Sequence, residues 1–256
     1  MAPATMLDSL RTARGVARSM LIYYRGRDRR DAMDRLHARF ARAGDLVFDV
    51  GSHVGDRVAS FRRLGCRVVA VEPQPALVRV LRLLYGRDRA VAIEPVAVGS
   101  AAGTVDLRIN VANPTVSTAS TAFVDAARGA AGWEGQRWER TTPVALTTLD
   151  ALIERHGRPA FVKVDVEGFE ADALAGLTTA LPALSYEFTT IQRDVALDCI
   201  DRLEAIAAYR YNAALGESQR FAHDDWLDAP AIRAWLVGLP HEANSGDVYA
   251  SLPVPS

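Results

Sequence analysis

Lysine is almost missing from this chain of 256 residues: of its 30 basic side chains, all but Lys163 are arginine. A residue type used once, inside an apolar run, marks a position that a guanidinium fork does not fill, because a compact ammonium presents its donors differently. Cysteine is scarce too. Cys66 and Cys199 stand in apolar contexts without metal-ligand spacing, which excludes a disulfide framework and leaves buried thiols in a reducing compartment. Long apolar runs are absent as well. Met20 to Tyr24, the longest near the start, is too short for a signal or a membrane span, so a cytoplasmic location and no stable membrane insertion are expected. Nor is there an excess of one charge: 30 basic against 31 acidic residues give a net charge of −1 and no general attraction to nucleic acid. With hydrophobic residues at 49%, a sizeable core is available, and the length suits one α/β domain with an extension.

What is present is organised around one corner, residues 45–56. Leu46 to Val50 reads as a buried strand running into the turn Gly51-Ser52-His53-Val54-Gly55, and Val54, Val58 and Phe61 put one apolar face of a following helix against a sheet. Glycines at 51 and 55 would let backbone approach a ligand, and the first helical turn offers unpaired N–H groups. The order is Asp49-x-Gly51-x-His53-x-Gly55, not the G-x-G-x-x-G of dinucleotide sites. After the next apolar run, Val68 to Val71, comes Glu72, an acid placed to accept from both hydroxyls of a ribose, followed by Pro73.

Upstream, residues 1–43 carry ten Arg against four Asp and read as two helical pieces. Leu7, Leu10, Val16, Met20 and Leu21 form a sparse apolar stripe, and Met33, Leu36, His37 and Phe40 a second. A helical cap packed on the main domain is preferred over a basic arm touching an anionic surface. Downstream, residues 44–256 alternate strand and helix patterns, which argues for a mostly parallel sheet with right-handed crossovers. Leu77, Val80, Leu81 and Leu84 space a helix that Gly86 stops, and Val91 to Val98 reads as one strand whose Pro95 marks an edge or a bulge. Residues 110–142 break the pattern with a hydroxyl-rich loop and an aromatic, charged segment, an insertion suited to a substrate lid or to a surface excursion anchored by its tryptophans. Regular structure resumes at Val144, with a helix start at Thr148.

The second motif is Phe161-Val162-Lys163-Val164-Asp165-Val166-Glu167-Gly168-Phe169-Glu170. Strand alternation puts Lys163, Asp165 and Glu167 on one side, and a lysine and carboxylates entering a buried strand must be paired or employed at a site. An ion pair between Lys163 and a neighbouring carboxylate is the structural alternative to a functional role.

With these residues in view, the chain resembles the FkbM-type family of S-adenosylmethionine (SAM) dependent methyltransferases. The matches are Asp49-x-Gly51-x-x-x-Gly55, Val71-Glu72-Pro73, Thr148-Leu149-Asp150 and Lys163-x-Asp165-x-Glu167-Gly168-x-Glu170, with Ser117 to Ser120 where the family has a Ser/Thr-rich segment. His53 departs from it, standing where asparagine is more usual. The resemblance implies a class I, Rossmann-like methyltransferase sheet with an antiparallel last strand near Val248, SAM as methyl donor with S-adenosylhomocysteine as product, and an acceptor hydroxyl on a natural product, sugar or glycolipid. Its implied cofactor residues are Asp49, Gly51, Ser52, His53, Gly55, Glu72, Pro73, Ser117 and Asp165. Candidate bases for the acceptor proton are Asp165, preferred for position, Glu167 and His53, although Asp165 could instead hold the amino group of the cofactor. Glu187, at the end of the following strand, could join Asp165 in a polar cluster or a magnesium site, but the sequence does not show that they converge, so no metal ligands are assigned. Expected partners are a small-molecule or glycan acceptor and a second copy of the chain as a homodimer, with no nucleic acid. The competing readings are a nucleotide-dependent oxidoreductase and a SAM-binding protein without turnover.

Overall fold

The computed structural model describes residues 6–253, with the side chains of residues 6–9 outside the description. Two helices lead, α1 (Met6–Tyr24) and α2 (Arg27–His37). An α/β succession follows: β1 (Leu46–Val50), α3 (Asp56–Arg63), β2 (Arg67–Val71), α4 (Pro75–Tyr85) and β3 (Val91–Glu94). Then come β4 (Ala97–Val98), β5 (Gly103–Ile109), α5 (Thr121–Ala127) and β6 (Arg140–Thr147). The remainder is α6 (Leu149–His156), β7 (Phe161–Val164), α7 (Glu170–Ala175), β8 (Ala183–Thr189), α8 (Arg193–Glu204), β9 (Arg210–Leu215), α9 (Ala229–Gly238) and β10 (Ser245–Ser251).

Seven strands form one sheet in the order β3-β2-β1-β7-β8-β10-β9. All pairs are parallel except those of β10, which runs antiparallel to both β8 and β9. Alternate residues of one strand serve opposite faces. Phe48 and Val50 join the core made with α6, α7, α8 and α9, while Val47 packs with Phe61, Leu36 and Phe161 on the side of α2 and α3. On that second side Phe40 stacks between Phe161 and Tyr249, at ring distances of 4.8 and 5.4 Å.

Three sequence expectations change. The run from Val91 to Val98 is two strands: Pro95, which has no N–H to give, separates edge strand β3 from β4. β4 belongs with β5 and β6 to a separate three-stranded sheet, so the segment resuming near Val144 begins at Arg140 as the antiparallel partner of β5. In α1 the expected apolar stripe is not the packed face, for Leu10 and Leu21 are each 56% exposed; Leu7 lies outside the described side chains. The packed face is made of small residues, with Ser19 buried and Gly15 so close to the chain at Val111 that a Cβ would lie 2.8 Å from its carbonyl oxygen. α2 does bury Met33, Leu36 and His37.

Residues 110–142 are ordered around their own small core. Phe123 meets Trp133 edge-to-face at 5.1 Å, Ser120 caps α5 through Phe123 N, and the Trp138 indole N–H donates to the Val116 carbonyl at 2.7 Å. No described helix is long and apolar enough to cross a membrane.

Candidate active site

β1 ends in a turn that leaves no room for a side chain. Gly51 takes φ 85°, and a Cβ there would lie 1.8 Å from the Asp165 carbonyl oxygen at the end of neighbouring β7. Gly55, at φ 83°, faces Tyr85 and Leu81, whose side chains a Cβ would meet at 2.7 and 2.9 Å. Both glycines are therefore required by the chain's own packing, and Gly55 does not line the cleft. The amides of Gly51 and Ser52 donate to the Val71 carbonyl, and the Ser52 hydroxyl donates to the Asp49 carbonyl at 2.7 Å. Glu72 then fixes the turn: its carboxylate accepts from His53 N at 2.9 Å and from Gln74 N at 2.8 Å.

Beyond this turn opens a cleft with about 870 Å³ of empty space, counted out into open solvent. One wall is apolar, with Val71, Val96, Val98 and Leu107; the other carries Asp165, Glu167 and Glu187. The insertion closes a side with Thr115, Ser117 and Ala119, and Thr118 donates its hydroxyl to the Glu167 carbonyl at 2.6 Å. Of the residues expected at a cofactor, Gly51, Ser52, His53, Glu72, Pro73, Ser117 and Asp165 line this cleft. Asp49 does not. It lies fully buried within the sheet, neither carboxylate oxygen has a hydrogen-bond partner among the described residues, and burial raises its pKa to about 7.

The second motif is held by its last member. β7 ends at Val164, and the chain turns with Glu167 at φ 55° and Gly168 at φ 83°, so strand alternation does not carry Glu167 into the cleft; the turn does. Glu170, the final acid of the motif, accepts from Val166 N at 2.9 Å and Gly168 N at 3.0 Å and so pins that turn. Lys163 lies beneath, buried, with its ammonium 3.1 Å from Asp165 and 2.8 Å from Asp247 on β10. It is an ion-pair lysine, its ammonium shared between the acid just past β7 and the acid on β10.

The acids differ in proton affinity. Burial pushes Asp165 up, but the charges of Lys163 and Arg57 outweigh it and hold the carboxyl below its ordinary value. Burial, then the charges of Asp165 and Glu170, push Glu167 well above its ordinary value. Glu187 rises for the same reasons, burial first and then Asp165 and Glu167. Burial lowers His53 to about 4, so its imidazole is neutral at pH 7.

Several cleft residues carry no motif: Tyr23 of α1, Arg57, Gln74 and Glu217. Arg57 pairs with Asp56 at 3.0 Å and Glu217 at 3.2 Å, and Arg29 of α2 reaches the same Glu217 at 2.9 Å. The N-terminal helices thus help to build the cleft. The sequence signal for Arg57 is its place in the first turn of the helix after the glycine corner, where it can face whatever that corner faces.

Three buried acids give a pH prediction for the free protein. Asp49 and Glu170 stand at about 7 and Glu72 at about 8, each raised by burial. A carboxyl whose folded pKa is raised stabilises fully below its unfolded value and loses that contribution as pH rises through the folded one. His37, buried and lowered to about 3, acts oppositely, costing stability only as pH falls below about 6.5. Between pH 6.5 and 8.5 stability should therefore fall. Glu72 alone accounts for about 2 kcal/mol, on the order of 5 °C in Tm. Glu72→Gln should flatten this slope in thermal melts, and an equal slope in the variant would assign the dependence elsewhere.

The sheet order, with its antiparallel strand inserted between β8 and β9 and the cleft at the carboxyl end of β1, is that of class I SAM-dependent methyltransferases. Residues 49–244 match the model of the methyltransferase FkbM domain, and the chain belongs to that family. This replaces the oxidoreductase reading. Hexuronic acid methyltransferase AglP of Haloferax volcanii is 30% identical over 188 residues, covering 72% of each protein. Among solved structures, the O-methyltransferase from Bacillus cereus in complex with SAH has a TM-score of 0.43 at 11% identity, covering 99% of this chain and 93% of that one. The fibrillarin from Aeropyrum pernix with bound SAM has a TM-score of 0.43 at 11% identity, covering 82% and 67%.

Proposed function

We propose that this protein transfers a methyl group from SAM to a hydroxyl oxygen of a sugar or glycan, with acidic sugars as the first acceptors to try. The observation that carries the acceptor class is the 30% identity to a hexuronic acid methyltransferase, extended over most of both chains. The cleft has groups suited to the cofactor. Glu72 would accept from the ribose hydroxyls through lone pairs left over from its two backbone donors. The apolar wall of Val71, Val98 and Leu107 would take the base, and the ionised Asp165 an ammonium. SAM, when bound, supplies a methyl already activated on sulfonium sulfur.

The chain's own task is then alignment and proton removal. A hydroxyl must lose its proton as the new C–O bond forms. Asp165, tied to Lys163, is the weaker proton acceptor; Glu167, with raised proton affinity and a place on the same wall, is the stronger one. His53, neutral and 3.4 Å from the Thr115 hydroxyl, is a further acceptor within the cleft. The insertion, with Ser117 and Ala119, would keep water from the reacting atoms as a lid.

Two measurements test this reading. Calorimetry should show binding of SAM and S-adenosylhomocysteine and none of NAD; tight NAD binding with silence toward SAM would overturn it. Mass spectrometry of uronic acids and neutral sugars incubated with SAM and enzyme should show a single added methyl, favouring the acidic set. Methylation of neutral sugars alone would remove the acidic-acceptor assignment.

A further inference from the structure

The carboxylate wall of the cleft gathers three acids whose ionised forms repel one another. Asp165 lies just past β7, Glu167 in the turn that follows and Glu187 on β8, the strand paired in parallel with β7. One oxygen from each lies within 4.8 Å of one oxygen from each of the others. Of the cations nearby, none forms a salt bridge with Glu167 or Glu187 among the described residues. Lys163 is divided between Asp165 and Asp247, and Arg57 between Asp56 and Glu217.

Two features beyond the gathering of acids point to a ligand. Glu167 is only 7% exposed, yet among the described residues no donor or salt-bridge cation reaches its carboxylate, which lines the cleft. Oε2 of Glu187 is shut off from solvent and likewise has no hydrogen-bond partner. Buried carboxylate oxygens without partners are costly, and the cleft gives a path by which a counter-charge can enter.

We propose that Asp165, Glu167 and Glu187 form a binding site for one divalent, oxygen-preferring cation. The donor set is carboxylate alone, with no His or Cys in the cluster, which suits Mg²⁺, Mn²⁺ or Ca²⁺ and not a thiolate- or imidazole-seeking metal. The three oxygens lie within 4.8 Å of one another, close enough to share one cation whose bonds to oxygen are about 2.0–2.6 Å. One oxygen from each acid leaves further positions on the cation for water or for acceptor oxygens. The second oxygen of Glu167 remains free to receive a proton. The site shares the cleft of the methyl-transfer reading but is tested without SAM or acceptor.

The test uses the full chain, stripped with chelator and titrated with Mn²⁺ while the electron paramagnetic resonance signal of free Mn²⁺ is followed. Mg²⁺ and Ca²⁺ are then added as competitors. About one Mn²⁺ should bind per chain, and Glu187→Gln and Glu167→Gln should each weaken it at least roughly tenfold. Both variants remove like-charge repulsion and should melt no lower than the parent in chelator. If either fails to fold, Glu187→Asp, which keeps the charge and moves the oxygens back, should still weaken Mn²⁺. No binding at millimolar Mn²⁺ would overturn the site and leave the acids to an organic ammonium. Equal affinity in parent and variants would overturn it too, by placing the ion on other acids. Failure to bind SAM would sink the methyl-transfer reading and leave this result untouched.

Discussion

Glu167→Gln should lower single-turnover methyl transfer by about 10²–10⁴-fold, the range for loss of a general base, with little change in the dissociation constant for SAM. The amide keeps the size of the side chain and its place in the turn, where the backbone carbonyl holds Thr118. It loses the proton acceptor whose affinity burial and the neighbouring carboxylates have raised. In chelator, parent turnover should accordingly rise with pH through a range above that of an ordinary carboxylate, and the variant should lose this dependence. Asp165→Asn makes the contrast. With Lys163 still paired to Asp247, it should mainly weaken SAM binding if Asp165 faces the ammonium. The experiment also separates two kinds of acceptor oxygen. A hydroxyl needs its proton taken away, whereas a sugar carboxylate does not. Full turnover in Glu167→Gln would therefore point to ester formation or to His53 as base. A loss that saturating Mg²⁺ restores would assign Glu167 to the cation instead.

The second large effect is structural. Gly51→Ala should cost more than about 4 kcal/mol, a magnitude reached only through a few mechanisms, of which backbone strain and overpacking both apply. The added Cβ would fall 1.8 Å from a backbone oxygen of Asp165, and φ 85° is itself unfavourable for any residue with a Cβ. Relief requires β1 and β7 to part where Asp165 N donates to the Val50 carbonyl at 2.9 Å. Tm should fall by about 10 °C or more, and SAM binding should be lost along with the corner. Gly103→Ala is the control, since its Cβ would meet nothing within 4 Å. A Gly51→Ala protein that melts with the parent would show that the two strand ends are not in contact.

Much of the fold was legible because its signals are local. β1 runs over the expected residues, Thr148 caps α6 through Ala151 N, and Gly157 closes that helix at φ 98°. The two motifs were legible as sites, but several of their residues have other duties. Gly55 makes room for Tyr85, and Glu170 pins a turn. Such duties are invisible in spacing, since a glycine forced by a ligand and one forced by a tyrosine ring look the same. The packed face of α1 escapes apolar periodicity for a related reason. Apolar periodicity finds helix faces that bury large side chains, and this helix approaches through Gly15 and Ser19.

The sequence by itself determined the strand and helix succession, the glycine corner and the acids at the strand ends. These depend on near-neighbour sterics, backbone hydrogen bonding and the alternation of apolar residues, all contained in a few consecutive positions. Only the tertiary structure decided which distant groups meet. Lys163 finds Asp247 across 84 positions because β10 reverses and inserts between β8 and β9. Arg57 finds Glu217 across 160, on the turn following β9. Asp165, Glu167 and Glu187 converge because β8 lies beside β7 and the pinned turn swings Glu167 back over their ends. No local preference encodes that meeting. It follows from the order of strands in the sheet, which is fixed by burial of the whole core.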